Sequence, residues 1–196
     1  MLAIVDTGCA NLASVGFAFE RLGVRKIVTS DPAILKSADR VILPGVGAMP
    51  YAMAQLKARE LVEVLRGLTQ PLMGICLGMQ LLFEGSEEGG ASGLGLIKGT
   101  VKRMNTGKLP APHMGWNTLG NLADDPLLAG VQEDDYTYFV HSYAAPVSGE
   151  TLAISNYDQP FSAIVRRGNI FGCQFHPERS GKVGAKILEN FLKVNP

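Results

Sequence analysis

Four short apolar runs in the first half of the chain, each followed by a turn and a helical pattern, limit what it can fold into. Leu2 to Val5, Lys26 to Thr29, Val41 to Leu43 and Pro71 to Ile75 lack the alternation of a half-exposed strand. They read as strands covered on both faces, as in a parallel sheet. Between them the helical period predicts three helices. Asn11 caps the first, whose apolar face is Leu12, Val15, Phe19 and Leu22 and which ends at Gly23. Asp31-Pro32 opens a short second one to Ala38. The third runs from about Pro50 to Arg66, with Met53, Leu56, Leu61, Val64 and Leu65 on one side. This alternation predicts an α/β fold with a mainly parallel central sheet.

Beyond residue 95 the texture changes. Leu96 to Met104, His113 to Leu119, Tyr136 to His141, Thr151 to Asn156, Ser162 to Arg166 and Ile170 to Phe175 read as strands joined by turns. They predict antiparallel strands added to the parallel core. A last helix, about Gly181 to Val194, turns Val183, Ile187, Leu188 and Phe191 inward. With 196 residues and no repeat or linker, one domain over 1–196 is expected. The Gly-rich run from Gly85 to Gly93 reads as a solvated excursion. It lacks the Lys-Ser/Thr that closes a P-loop, and no helix follows it.

The chemistry begins at Gly74-Ile75-Cys76-Leu77-Gly78, where the fourth apolar run meets a helical stretch read as Leu77 to Glu84. Strand, tight turn and helix in this order make a nucleophile elbow, with Cys in the central position. Gly74 and Gly78 let the backbone pass itself closely without a Cβ. A thiol at a helix start is biased toward thiolate. A buried structural Cys fits the same five residues. The second stretch is Phe175-His176-Pro177-Glu178, again at a strand end. Pro177 drives His176 toward extended geometry, and in an extended chain residues two apart share a face. Glu178 can then fix the tautomer of His176 and steady its imidazolium. Alone this is an ordinary surface turn; with the Cys elbow it completes a nucleophile–base–acid relay at the edge where parallel-sheet sites lie. The Leu77 amide, with Pro44-Gly45-Val46-Gly47 at another strand end, suits an oxyanion hole.

Composition narrows the partners. Charged residues make up 18% and net charge is zero, with no Lys/Arg block, so nucleic acid and anionic membranes are not expected. No run approaches a membrane span, and Met1 to Asp6 does not read as a signal peptide. Three scattered cysteines, Cys9, Cys76 and Cys173, suggest a reduced, cytoplasmic chain, with Cys9 and Cys173 as small core residues. His113, His141 and His176 lack metal-ligand spacing, so no metal or other cofactor is expected.

Gly74-Ile75-Cys76-Leu77-Gly78-Met79-Gln80 with Phe175-His176-Pro177-Glu178 resembles the class I (triad) glutamine amidotransferases. Pro44 to Gly47, His113-Met114-Gly115-Trp116-Asn117 and Tyr138 to Tyr143 are similar to the glutaminase subunits of imidazole glycerol phosphate synthases. The likeness runs from Asp6 to the last helix. It implies the three-layer class I glutaminase-like fold, with Cys76 as nucleophile, His176 as general base and acid, and Glu178 as its orienter. It implies Val46, Gly47 and Leu77 at the oxyanion hole, and Gln80, His141, Ser142 and Tyr143 around bound glutamine. It also implies a heterodimer with a (β/α)8-barrel cyclase subunit that receives the ammonia, and Asn11, Trp116 and Arg179 are the candidates for that face. Thr7, Ala10 and Arg179 depart from the family's usual residues there. Other readings are a glutaminase serving another synthase (pyridoxal phosphate or anthranilate type), a Cys-dependent α/β-hydrolase, or a silent interaction or redox-sensing protein. The hydrolase places its acid well before the His, and a sensor needs no His-Pro-Glu.

Overall fold

The computed structural model describes residues 1–8 and 10–194. The expectation for Cys9 therefore lies outside the described residues. Among the described residues twelve strands and six α-helices follow one another. The first half contains β1 (Leu2–Val5), α1 (Leu12–Arg21), β2 (Lys26–Thr29), α2 (Pro32–Ser37), β3 (Arg40–Gly45), α3 (Met49–Ala58), α4 (Leu61–Arg66), β4 (Leu72–Cys76) and α5 (Leu77–Leu81). The second half contains β5 (Phe83–Ser86), β6 (Ile97–Arg103), β7 (His113–Thr118), β8 (Tyr136–His141), β9 (Tyr143–Ala144), β10 (Thr151–Tyr157), β11 (Gln159–Arg167), β12 (Ile170–Cys173) and α6 (Gly181–Lys193).

Seven strands form the central sheet in the order β10-β11-β12-β4-β3-β1-β2. β2, β1, β3, β4 and β12 are parallel, while β10 and β11 are antiparallel additions at one edge. Both faces of β1, β3 and β4 are covered, which explains their unbroken apolar runs. By contrast β2, expected to be covered likewise, is the edge strand and only half-buried, with Val28 exposed. Ile4, Ile42, Met73 and Ile75 point into a core shared with α1, α6 and Phe139 of β8. Ala3, Val5, Val41, Leu43 and Leu72 point into a second core with α2, α3 and α4. The three-layer α/β expectation holds.

Strand ends shift by up to three residues from the sequence reading, as where β11 starts at Gln159 and β12 stops at Cys173, and the larger differences lie in the helices and the Gly-rich run. The helix expected from Pro50 to Arg66 is two helices, broken where Glu60 takes a left-handed φ of 56°. An uninterrupted helix would carry the buried stripe of Met49, Ala52, Met53 and Leu56 onto Glu60. The break resets the phase so that Leu61, Val64 and Leu65 are buried instead. The helix expected from Leu77 to Glu84 stops at Leu81, because Phe83–Ser86 leaves it to pair with β6. The Gly85–Gly93 run is thus only partly an excursion: Ser86 is buried in β5, and Glu88 accepts a hydrogen bond from the Met49 amide at 2.7 Å. The short β9 has no counterpart in the sequence reading; it pairs with Lys102–Arg103 of β6.

Candidate active site

Sheet register builds the site. Gly45 of β3 lies opposite Cys76 of β4, and Cys173 of β12 lies opposite Ile75 on the other side. Three neighbouring parallel strands therefore end together, delivering the Val46-Gly47 loop, Cys76 and the segment leading to His176. Cys76 sits at the elbow with φ 54° and ψ −111°, a conformation that L-residues seldom adopt. The flanking glycines are required by space. A Cβ on Gly74 would come within 2.5 Å of the Gly78 carbonyl oxygen, and one on Gly78 within 1.8 Å of the Leu43 carbonyl oxygen. The helix behind the thiol has only five residues, so its dipole is weaker than the sequence suggested.

His176 takes the extended backbone expected before proline (φ −98°, ψ 94°). Its Nδ1 lies 2.8 Å from Glu178 Oε1, and the Glu178 side chain is 2% exposed. Ser180 braces the segment: its hydroxyl donates to the His176 carbonyl at 2.7 Å and accepts from the Tyr138 amide at 3.0 Å. The His176 amide also donates to the Tyr138 carbonyl at 2.9 Å. Burial pulls the His176 pKa down, but Cys76 and Glu178 on either side of the ring raise it more strongly, to about 10. Nε2 is buried and, among the described residues, has no partner that would compete with Cys76 for it. Such a Cys–His–Glu arrangement can attack an acyl carbon and then hand a proton to the leaving group.

Cys76 and His176 open onto a cavity of about 300 Å³ that Val46, Gly47, Leu77, Gln80, His141, Ser142 and Tyr143 also line. Every residue expected at the oxyanion hole or around the substrate is there. Gly47 has φ 90°, beyond the reach of most side-chain-bearing residues. Pro112 and Val140 also line it, and two polar lining or supporting residues were not anticipated. Glu88 brings a carboxylate to the cavity, although its Gly-rich surroundings read as solvent. Gln174 is fully buried, accepts from Gln80 Nε2 at 3.1 Å and directs its own amide toward Cys76 Sγ at 4.0 Å. A lone amide within the apolar run of β12 and its extension was the available signal.

Behind the cavity His113 Nδ1 lies 3.1 Å from His141 Nε2. Burial lowers His113 to about 4; burial and then the charge of His113 lower His141 to about 3. Both rings are neutral in the folded protein and take up protons below about pH 6.5 when unfolded. The unfolded state then binds more protons, so stability falls as pH drops from about 6.5 toward 4 and 3. We expect the unfolding midpoint to fall over this window, and part of the fall to vanish in His113→Gln. Equal pH profiles for the two proteins would contradict the buried neutral pair. Burial and the charge of Glu178 push the Cys173 thiol upward, which keeps it an inert core residue.

The residues expected at a partner face have separate local roles. Asn11 caps α1, its side chain accepting from the Ser14 amide at 3.2 Å. Trp116 is 55% exposed on β7, edge-on to Tyr138 of the paired β8. The Arg179 guanidinium lies over the same Tyr138 ring at 5.0 Å. Met114 and Tyr136 extend this exposed face of the hairpin.

The family model for class I glutamine amidotransferases matches residues 4–194. The chain is 53% identical over 193 residues to "Imidazole glycerol phosphate synthase subunit HisH" of Idiomarina loihiensis, covering 98% of this chain and 97% of that one. It is 50% identical over 194 residues to the protein of that name from Yersinia pestis, covering 98% and 99%. A crystal structure of a glutamine amidotransferase superposes with a TM-score of 0.75 at 18% identity, covering 97% of each chain. At that identity the likeness is one of fold.

Proposed function

The chain belongs to the class I glutamine amidotransferases, and we propose that it releases ammonia from glutamine as the glutaminase subunit of an imidazole glycerol phosphate synthase, in histidine biosynthesis. The observation that carries this reading is the delivery of Cys76 and His176 to one cavity by the adjacent parallel strands β4 and β12, with Glu178 buried behind the ring at 2.8 Å from its Nδ1.

In the proposed reaction Cys76 thiolate attacks the side-chain carboxamide carbon of glutamine. The resulting oxyanion is held by the Val46 and Leu77 amides. As the C–N bond breaks, His176 gives its proton to the nitrogen, and ammonia leaves. His176, now neutral, takes a proton from water as the water adds to the thioester. The C–S bond then breaks, releasing glutamate and restoring thiolate and imidazolium. The raised pKa of His176 keeps it protonated near neutrality, ready for the first proton transfer. Glu88 supplies the negative charge that the α-ammonium of the substrate calls for, and the Ser142 hydroxyl and nearby backbone meet its other end.

We assign a (β/α)8-barrel cyclase subunit as partner and ammonia acceptor, docked on the hairpin face of Met114, Trp116, Tyr136 and Arg179 with Asn11. A large exposed aromatic face beside the cavity supports that assignment. The test is glutamate release from glutamine by the purified chain, with and without the cyclase and its nucleotide ligand. Release that rises sharply with the liganded partner, with a higher KM in Glu88→Gln, is the expected result. Full activity indifferent to the partner would point to another synthase, and no release in either condition would overturn the reading.

A further inference from the structure

Beneath the β7–β8 hairpin a line of buried polar side chains runs to the cavity, and one backbone atom sets the direction of every hydrogen bond in it. The Tyr143 carbonyl oxygen can only accept. It lies 2.9 Å from His141 Nδ1 and 2.8 Å from Gln80 Nε2, so both must donate. A neutral His141 that donates from Nδ1 accepts at Nε2, and His113 Nδ1, at 3.1 Å, therefore carries a hydrogen. His113 Nε2 is then the acceptor for the Asn117 amide at 3.3 Å, and that amide also donates to the Asn156 carbonyl at 2.8 Å. On the cavity side Gln80 gives its other amide hydrogen to Gln174 Oε1, so the Gln174 amide nitrogen is the end that faces Cys76 Sγ.

We propose that His113 and His141 are positioning residues of the glutaminase reaction: His113 fixes the tautomer of His141, and His141 holds in place the Tyr143 carbonyl that orients the Gln80 and Gln174 amides, keeping a donor at Cys76 Sγ. The proposal rests on the glutaminase reading above and adds to it a fixed polarity behind the site. Locking matters because an amide that turns over exchanges donor for acceptor at no cost in shape. With both hydrogens of the Gln80 amide engaged, Oε1 is the atom of that side chain left to accept from a substrate donor. Burial holds both rings neutral, which the relay needs, since an imidazolium donates from both nitrogens and would oppose the Asn117 amide. Packing by itself does not ask for histidine here. His113 is stacked between Phe139 and Tyr157 at centroid distances of 5.0 and 4.1 Å, a slot that phenylalanine would fill equally well.

The experiment reads tautomers and kinetics together. The chain has only three histidines, so their ring nitrogens can be assigned by long-range proton–nitrogen NMR at neutral pH. The relay requires both His113 and His141 to be neutral with hydrogen on Nδ1, the less favoured tautomer of a free imidazole. Asn117→Asp places an acceptor against His113 Nε2 with little change in shape. It should drive hydrogen onto that nitrogen and raise the KM for glutamine about tenfold, with a smaller change in kcat. His113→Phe keeps the stack and removes the relay, and it should raise KM similarly while the unfolding midpoint moves little. Hydrogen on Nε2 of either ring in the wild type overturns the proposal, as does an unchanged KM in both variants. A wild-type protein that hydrolyses no glutamine overturns the functional reading instead, while the tautomers still judge the direction of the relay.

Discussion

Cys76→Ala is expected to lose glutamine hydrolysis by about 10⁴-fold or more, the scale of removing a nucleophile from a triad that acts as a unit. The proposed chemistry passes through a bond to Sγ, and no other nucleophile stands in its place. The other lining side chains with a nucleophilic atom are Ser142, Tyr143, His141, His176 and Glu88, and none of them sits at the strand-end elbow that Cys76 occupies. The fold should survive. Sγ makes only long contacts, to the Val140 carbonyl at 3.8 Å and from the Gln174 amide at 4.0 Å, and alanine bears the same φ of 54° no worse than cysteine does. Loss of one buried sulfur costs on the order of 1 kcal/mol, small against the stability of a domain. Partner binding should survive too, since Cys76 is 6% exposed and the proposed docking face is the hairpin. Free ammonia supplied to the complex should then restore synthesis by the cyclase, because the proposed function places everything after ammonia release in the other subunit. Glutamate formed by Cys76→Ala at an appreciable fraction of the wild-type rate would sink the mechanism. Failure of ammonia to rescue would show a second role for this chain.

The parts of this site that could be read from the sequence are those fixed by local geometry. Cys76 between Gly74 and Gly78, and His176 two residues before Glu178, are constrained by the turn and the extended strand in which they sit. Strand order then brings them together, and unbroken apolar runs already announced strands buried on both sides. The parts that could not be read depend on register between distant segments. His113 meets His141 only because β7 pairs with β8 in the register that places them opposite one another. Glu88 reaches the cavity because β5 pairs in parallel with β6 directly after α5, and a five-residue helix carries too little periodicity to mark its own end. Gln174 looked like one polar residue in an apolar run, and only the Gln80 amide facing it gives it a purpose. The break at Glu60 belongs to the same class: helix propensity favours continuing, and burial of Leu61 and Leu65 decides against it.

Gly78→Ala is expected to cost several kcal/mol, enough to unfold much of the population at ordinary temperature, and to abolish activity in whatever remains folded. The cause is space, not backbone conformation. A Cβ at this position would lie 1.8 Å from the Leu43 carbonyl oxygen and 2.8 Å from its carbon, and both belong to β3 in the middle of the sheet. Neither can swing aside as a flexible side chain would, so β3 or α5 must shift. Either shift acts on the site, because β3 carries the Val46-Gly47 loop and α5 begins at the residue after Cys76. Gly23→Ala provides the contrast. Its Cβ would meet nothing within 4 Å, and its φ of 74° costs alanine only about 1 kcal/mol, with the site untouched. Denaturant midpoints and glutamate release for the two variants separate the cases. A Gly78→Ala protein that unfolds like Gly23→Ala and still hydrolyses glutamine would show that the elbow tolerates a side chain there. The close approach of β3 to α5 would then not be what requires glycine at this position. Loss of soluble protein for Gly78→Ala, with Gly23→Ala expressed normally, is the stronger form of the expected result.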